Sequence, residues 1–88
     1  SGLSRNDYIA ADTLVAAIAG AWPRPGFQDA FLAVMPRSGR KGAMERRLVG
    51  TPAEGRVYAK SGSMSNVRGL TGVVETAAGE FVAFAFLA

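Results

Sequence analysis

"GRVYAKSGSMSNVRGLTGVVETAAGEFVAFAFLA", Gly55 to Ala88, is the stretch whose reading decides the fold. Three segments within it, "GRVYAKSG", "VRGLTGVVETA" and "EFVAFAFLA", are rich in β-branched and aromatic residues, as strands are. The last two are joined by the turn-like "TAAGE", in which Gly79 supplies the tight bend. Short connections join antiparallel neighbours, so the segments are expected to form a meander of about three strands. The final segment is apolar at successive positions, hence on both faces of a sheet, and such a strand calls for helices on both sides.

Upstream, the period changes. Residues 1–9 read as a loop, with Gly2 and the polar run Ser4, Arg5, Asn6 and Asp7 favouring turn geometry. A helix is predicted from about Ala10 or Asp12 to Trp22. Leu14, Val15, Ile18 and Trp22 recur at helical spacing, Asp12 can cap the N-terminus, and Pro23 stops the element. A second, short helix is predicted from about Phe27 to Val34. Phe27, Phe31 and Val34 or Met35 share one of its faces, and Pro36 ends it. "RSGRKG", residues 37–42, reads as a flexible basic loop, and "AMERRL", residues 43–48, as one further helical turn or two. The expected class is α+β, an antiparallel meander of about three strands with two or three short helices.

A chain of 88 residues makes at most one small domain, and at that size buries only about 60 to 65% of its unfolded surface. Its hydrophobic fraction of 49% and mean hydropathy of +0.15 are richer than a free-standing domain of 9.2 kDa requires. Neither "SGLSRN" at the start nor "FVAFAFLA" at the end looks like a natural boundary. Residues 1–88 are therefore expected to be an incomplete domain, part of a larger core.

The absence of cysteine excludes a disulfide scaffold and thiolate zinc sites, and the absence of histidine excludes imidazole bases and nearly all zinc and copper chemistry. Any catalysis must use Ser, Lys, Asp, Glu or Tyr, and no metal or cofactor is implied. The net charge of +3 comes from arginines and lysines with few aromatics interleaved, a solvated surface with no nucleic-acid partner expected. No apolar run reaches the roughly 18 residues of a membrane-spanning segment, and no signal-peptide pattern is present.

Lys60-Ser61-Gly62 at a strand end is a compact anion-recognition device. The lysine brings positive charge, the serine a hydroxyl, and the glycine lets a ligand backbone approach because no Cβ intervenes. Ser63, next in line, can offer a backbone N–H to a developing oxyanion. Such tripeptides also mark ordinary solvated turns. A second element, "SGLSRN", raises the signal: Ser4 and Asn6 flank Arg5 in a loop just before a helix.

Penicillin-recognising serine enzymes carry three motifs, S-x-x-K, S-D-N or a relative, and K-T-G. Ser4-Arg5-Asn6 matches the second and Lys60-Ser61-Gly62 the third. With the "DTLVAAIA" helix and "GTPAEGRVYAKSGSMSNVRGLTGVVETAAGEFVAFAFL", nearly the whole chain resembles the D-Ala-D-Ala carboxypeptidase and endopeptidase family of low-molecular-mass penicillin-binding proteins, of the penicillin-binding protein 4 type. The resemblance covers the C-terminal portion of such a protein and implies the larger β-lactamase/transpeptidase-like fold.

By that resemblance, Ser4 relays a proton toward the leaving amine and Asn6 hydrogen-bonds the side-chain amide of the bound peptide. Lys60 adds positive potential, Ser61 binds the terminal carboxylate of D-alanine or of a β-lactam, and Ser63 gives one of two oxyanion-hole N–H groups. The implied reaction is acyl transfer through a serine ester on peptidoglycan peptides ending in D-Ala-D-Ala. The implied address is periplasmic or extracytoplasmic, in a bacterium. Ser61 stands where threonine is usual and keeps the hydroxyl, while Arg5 fills a variable position usually held by aspartate.

The S-x-x-K serine and lysine should precede the second motif, so the nucleophile is expected in a missing N-terminal part of the same protein, without which the chain is inactive. A literal S-x-x-K, Ser38-Gly39-Arg40-Lys41, does occur. It follows a proline and carries glycines within and after it, each costing roughly 1 kcal/mol in a helix, so it reads as a loop rather than the helix N-terminus the chemistry needs. It also lies in the wrong order. Asp7 and Asp12 could suggest an acid and base pair, but Asp12 reads better as a helix-start residue, and Ser1 as a truncation or processing boundary. Trp22, Phe27 and Phe31 read as core, and Phe81, Phe84 and Phe86 as strand packing. Two other readings remain open: a non-catalytic recognition or scaffolding module on the same fold, and a serine β-lactamase or esterase of the same superfamily.

Overall fold

The computed structural model describes residues 5–64 and 67–87. They form two helices, α1 (Arg5–Ala21) and α2 (Phe27–Val34), followed by three strands, β1 (Val57–Met64), β2 (Val67–Glu75) and β3 (Phe81–Leu87). The strands lie in the order β1-β2-β3, each antiparallel to the next, which is the expected α+β meander. The β2–β3 connection closes as "TAAGE" predicts. Thr76 N–H donates to the Glu80 carbonyl at 2.7 Å, Gly79 N–H donates to the Thr76 carbonyl at 2.9 Å, and Gly79 takes the left-handed φ of 83° that a glycine adopts without strain.

The register sorts the side chains into two faces, because directly paired residues share a face and successive ones alternate. One face carries the rows Tyr58–Val73–Ala83 and Lys60–Thr71–Ala85, with Phe81 at its start. Trp22, just beyond α1, joins this face to both helices: its ring lies 5.1 Å from Phe81, 6.0 Å from Phe27 and 5.6 Å from Phe31. Tyr58 extends the cluster, 6.3 Å from Phe81. Aromatic pairs at such distances contribute about 0.5–1.5 kcal/mol beyond their area, so this cluster ties α1, α2 and the sheet together.

The opposite face carries Val57–Val74–Val82, Ala59–Gly72–Phe84 and Ser61–Leu70–Phe86. Met44, 3% exposed, packs there against Val57 and Ala59, with Ala53, Leu70, Val74 and Phe84 around them. Beside this small core an open apolar groove of about 510 Å³ runs between Met44, Arg47, Leu48 and the sheet. Phe86 and Val82 remain 65% and 51% exposed, so this face is only partly covered by the described residues.

Three local expectations are corrected. The helix α1 starts at Arg5, inside the stretch read as a loop, which leaves Asp12 within the helix and exposed rather than at its start. The polar run 5–7 does not oppose a helix, and an acidic residue in a first turn favours one. The half-buried positions of α1 include Ala11, Val15 and Ile18, joined by Trp22 just past its end, whereas Leu14 is half exposed. "AMERRL" is not helical: Glu45 N–H donates to the Gly42 carbonyl and Arg47 N–H to the Met44 carbonyl, three residues back in each case. Leu48 then takes a left-handed φ of 63°, which ends any helical path. Helix α2 has the expected bounds, but Val34 is 77% exposed, so of the two alternatives Met35 is the better covered.

Gly72 faces Ala59 across β1 and β2, and a Cβ there would run into the Tyr58 carbonyl oxygen. A Cβ on Gly62 would meet nothing within 4 Å. Gly72→Ala is expected to destabilise the protein by about 1–3 kcal/mol, and Gly62→Ala to change stability by less than about 0.5 kcal/mol, as read from denaturant or thermal unfolding.

Candidate active site

Strand β1 is an edge strand, and its outer side is only partly covered. Ser38 N–H donates to the Val57 carbonyl at 2.8 Å, and Ala59 N–H donates to the Pro36 carbonyl at 2.9 Å, around the bridge Arg37–Tyr58. Pro36 has no N–H to return to Ala59, and beyond Met35 the chain is already the end of α2, which cannot extend a ladder. Pairing on this side therefore stops at Ala59.

The same bonds fix which main-chain groups face outward. Val57 and Ala59 point theirs at the Pro36–Ser38 segment, while Arg56 points its carbonyl at Glu75 N–H on the β2 side. By strand alternation, Ser61 and Ser63 turn their N–H and C=O groups to the open edge, and Lys60 and Gly62 turn theirs toward Thr71 and Gly69 of β2. Lys60, Ser61 and Gly62 are all exposed.

Among the described residues nothing pairs with this side of β1 beyond Ala59, so Lys60, Ser61, Gly62 and Ser63 lie consecutively on one open strand edge. The side chains of Lys60 and Ser61 do not converge, since Lys60 shares the helix-bearing face with Thr71, and Ser61 the groove face with Leu70 and Phe86. Ser4 lies outside the described residues. Asn6 stands in the first turn of α1, a helix that packs on β3 and β2.

The literal S-x-x-K is disposed of by its surroundings. Ser38 is fully buried; its hydroxyl donates to the Ala53 carbonyl at 2.9 Å and accepts the Val57 N–H at 3.2 Å. Its own carbonyl accepts Gly55 N–H at 2.8 Å. Arg37 beside it donates from Nε to the Gly55 carbonyl at 2.7 Å and lays its guanidinium 5.0 Å from the Tyr58 ring centre. Gly39 and Lys41 lie in turn and bend geometry, as the glycines predict. Sequence reasoning missed the organising part played by Pro36, Arg37 and Ser38; one signal in reach was the proline, which forbids a continued ladder.

Comparison with known proteins agrees with the family resemblance. The model of the D-Ala-D-Ala carboxypeptidase 3 (S13) family matches residues 1–88. A protein named penicillin-sensitive carboxypeptidase A from Dictyostelium discoideum is 39% identical over 75 residues, covering 84% of this chain and 14% of its own length. A D-alanyl-D-alanine carboxypeptidase from Actinomadura sp. (strain R39) is 40% identical over 85 residues, covering 91% of this chain and 16% of its own. No solved structure is a significant match. The chain belongs to the D-Ala-D-Ala carboxypeptidase 3 (S13) family. It spans about one seventh of the length of these relatives. No helix among the described residues is long and apolar enough to cross a membrane.

With its hydroxyl committed at both ends and no solvent access, Ser38 is not available to an electrophile. Peptide mapping after saturation with a penicillin is expected to leave the Ser38–Lys41 segment unmodified; an adduct on Ser38 would refute this assignment.

Proposed function

We propose that residues 1–88 are the C-terminal portion of a penicillin-binding, transpeptidase-like domain and form one wall of a serine-type D-alanyl-D-alanine peptidase site. The observation that carries this reading is the free edge of β1 beginning at Lys60, in a chain that belongs to a D-Ala-D-Ala carboxypeptidase family.

An extended peptide laid along that edge meets outward main-chain groups at Ser61 and Ser63. Ser63 N–H is one donor for the oxyanion that forms when a serine attacks the scissile carbonyl. Lys60 supplies positive potential, and Ser61 donates its hydroxyl to the terminal carboxylate of the D-alanyl peptide or of a β-lactam. Since Lys60 and Ser61 lie on opposite faces, they act around the edge rather than across a shared pocket. Gly62 leaves open space where a Cβ would stand, in keeping with close approach of a substrate backbone.

The remaining roles come from outside this strand edge. Ser4 relays the proton to the departing amine and Asn6 holds the substrate amide, while the nucleophile and its lysine belong to the rest of the protein, without which these 88 residues are inactive. Acyl transfer proceeds through a serine ester that water resolves. The substrates are peptidoglycan stem peptides, with β-lactams as mimics, and the protein acts outside the cytoplasm of a bacterium.

The test uses the full-length protein and a fluorescent penicillin. A covalent adduct is expected, with acylation strongly reduced in Lys60→Ala. Ser61→Ala is expected to slow cleavage of a peptide with a free terminal carboxylate about tenfold to a hundredfold, the loss of one hydrogen bond to a charged group. The same variant should change cleavage of the C-terminally amidated peptide far less. Stoichiometric reversible binding with no adduct would instead make the protein a recognition module, and rapid turnover of the adduct a β-lactamase.

A further inference from the structure

We propose that Ser38, supported by Arg37, is a positioning residue for the Lys60–Ser63 edge; the inference rests on the peptidase reading above. The hydroxyl of Ser38 bridges the Ala53 carbonyl and the Val57 N–H, and its main chain bonds both Val57 and Gly55, so one buried residue holds the loop 53–55 and the start of β1 in a single arrangement. Arg37 repeats the connection from the other side, through Gly55 and the face of Tyr58.

Tyr58 and Ala59, both buried, lie between this clamp and Lys60, on a strand whose other edge is fixed by β2. The outer support stops at Ala59, so the place of the free edge in space is set by the last residues the clamp holds. An oxyanion donor must meet a reacting atom to within a fraction of an ångström, and a misplacement of about 1 Å can cost about a hundredfold in rate. Ser38 touches no substrate in this scheme. It acts through Val57 on the strand, and its loss should fall on the chemical step rather than on ground-state binding.

The experiment compares full-length wild type, Ser38→Ala and Arg37→Leu on a D-alanyl-D-alanine peptide, at a temperature where circular dichroism shows each variant folded. Ser38→Ala is expected to lower kcat about tenfold to a hundredfold, with KM changed less than about threefold and penicillin acylation slowed in parallel. Arg37→Leu should show the same split to a smaller extent. Folded variants with wild-type kcat and only a lowered Tm would overturn the proposal, as would a loss confined to KM. Should Ser38→Ala fail to fold, Arg37→Leu decides by the same split, because it leaves the Ser38 hydroxyl pair intact. Absence of turnover and of a penicillin adduct in the wild type would refute the peptidase reading itself, and is seen before any variant is compared.

Discussion

The Ser38 hydroxyl donates to the Ala53 carbonyl and accepts the Val57 N–H where solvent does not reach, and around these two bonds the irregular half of the chain is arranged. Residues 35–56 contain no described helix or strand, so their backbone groups have no regular ladder to satisfy them. The loop compensates with local partners. Arg37 donates to Gly55, Glu54 accepts the Gly50 N–H at 2.8 Å, and Thr51 donates to the Leu48 carbonyl at 2.6 Å while accepting from Ala53 N–H. Removing the Ser38 hydroxyl, which leaves the buried Val57 N–H unsatisfied, costs about 1–3 kcal/mol, whereas the Glu54 and Thr51 bonds are exposed and contribute less.

The arrangement also explains why the loop lies over one face of the sheet. Closing Ser38 onto Ala53 and Val57 makes a compact excursion between them, and Met44 near its middle turns inward onto Val57 and Ala59. The cations of the excursion stay outside: Arg40, Lys41, Arg46 and Arg47 are exposed, and the Arg40–Glu54 pair at 3.7 Å is a solvated contact that contributes little. Gly72 completes the packing beneath, since Ala59 and Gly72 are small enough for β1 and β2 to approach where Phe84 covers them.

Much of this was legible in the sequence. The strands follow from β-branched and aromatic runs, although β1 runs on to Met64 past the point where Lys60-Ser61-Gly62 read as a strand end, the Gly79 bend from its turn residues, and α2 from its aromatic spacing and flanking prolines. These features depend on neighbours a few residues away. What was not legible depends on distant partners or on weak preferences. The start of α1 is a contest between a polar run that tolerates a helix and turn-forming residues that tolerate a loop. "AMERRL" has good helix formers, yet Gly42 at φ 134° and Leu48 at φ 63° bound it with geometry that composition does not announce. Ser38 sits in a segment whose residues all read as exposed loop; its burial comes from closing onto residues 15 and 19 positions later. Of the candidate site, the order of Lys60 to Ser63 on a strand was legible, and the opposed faces of Lys60 and Ser61 followed once the strand was assigned.

That opposition constrains how the motif can work. Two neighbours on a strand interior would serve two separate faces and could not attend one ligand. On an edge the constraint relaxes, because a ligand lying alongside the strand is reached from above by one side chain and from below by the next, with outward main-chain groups between them. The chemistry proposed for Lys60-Ser61-Gly62-Ser63 therefore requires a strand that is both an edge and unpaired from Lys60 onward. Both conditions trace to the same few residues: Pro36 and the end of α2 stop the outer pairing at Ala59, and Ser38 anchors what comes before it. A continued ladder past Ala59 would occupy the Ser61 and Ser63 N–H groups with backbone carbonyls, leaving the lysine and the serine hydroxyl in place but no oxyanion donor. For the proposed chemistry the tripeptide alone would not suffice, and the proline-ended flank of β1 would supply the rest of the requirement.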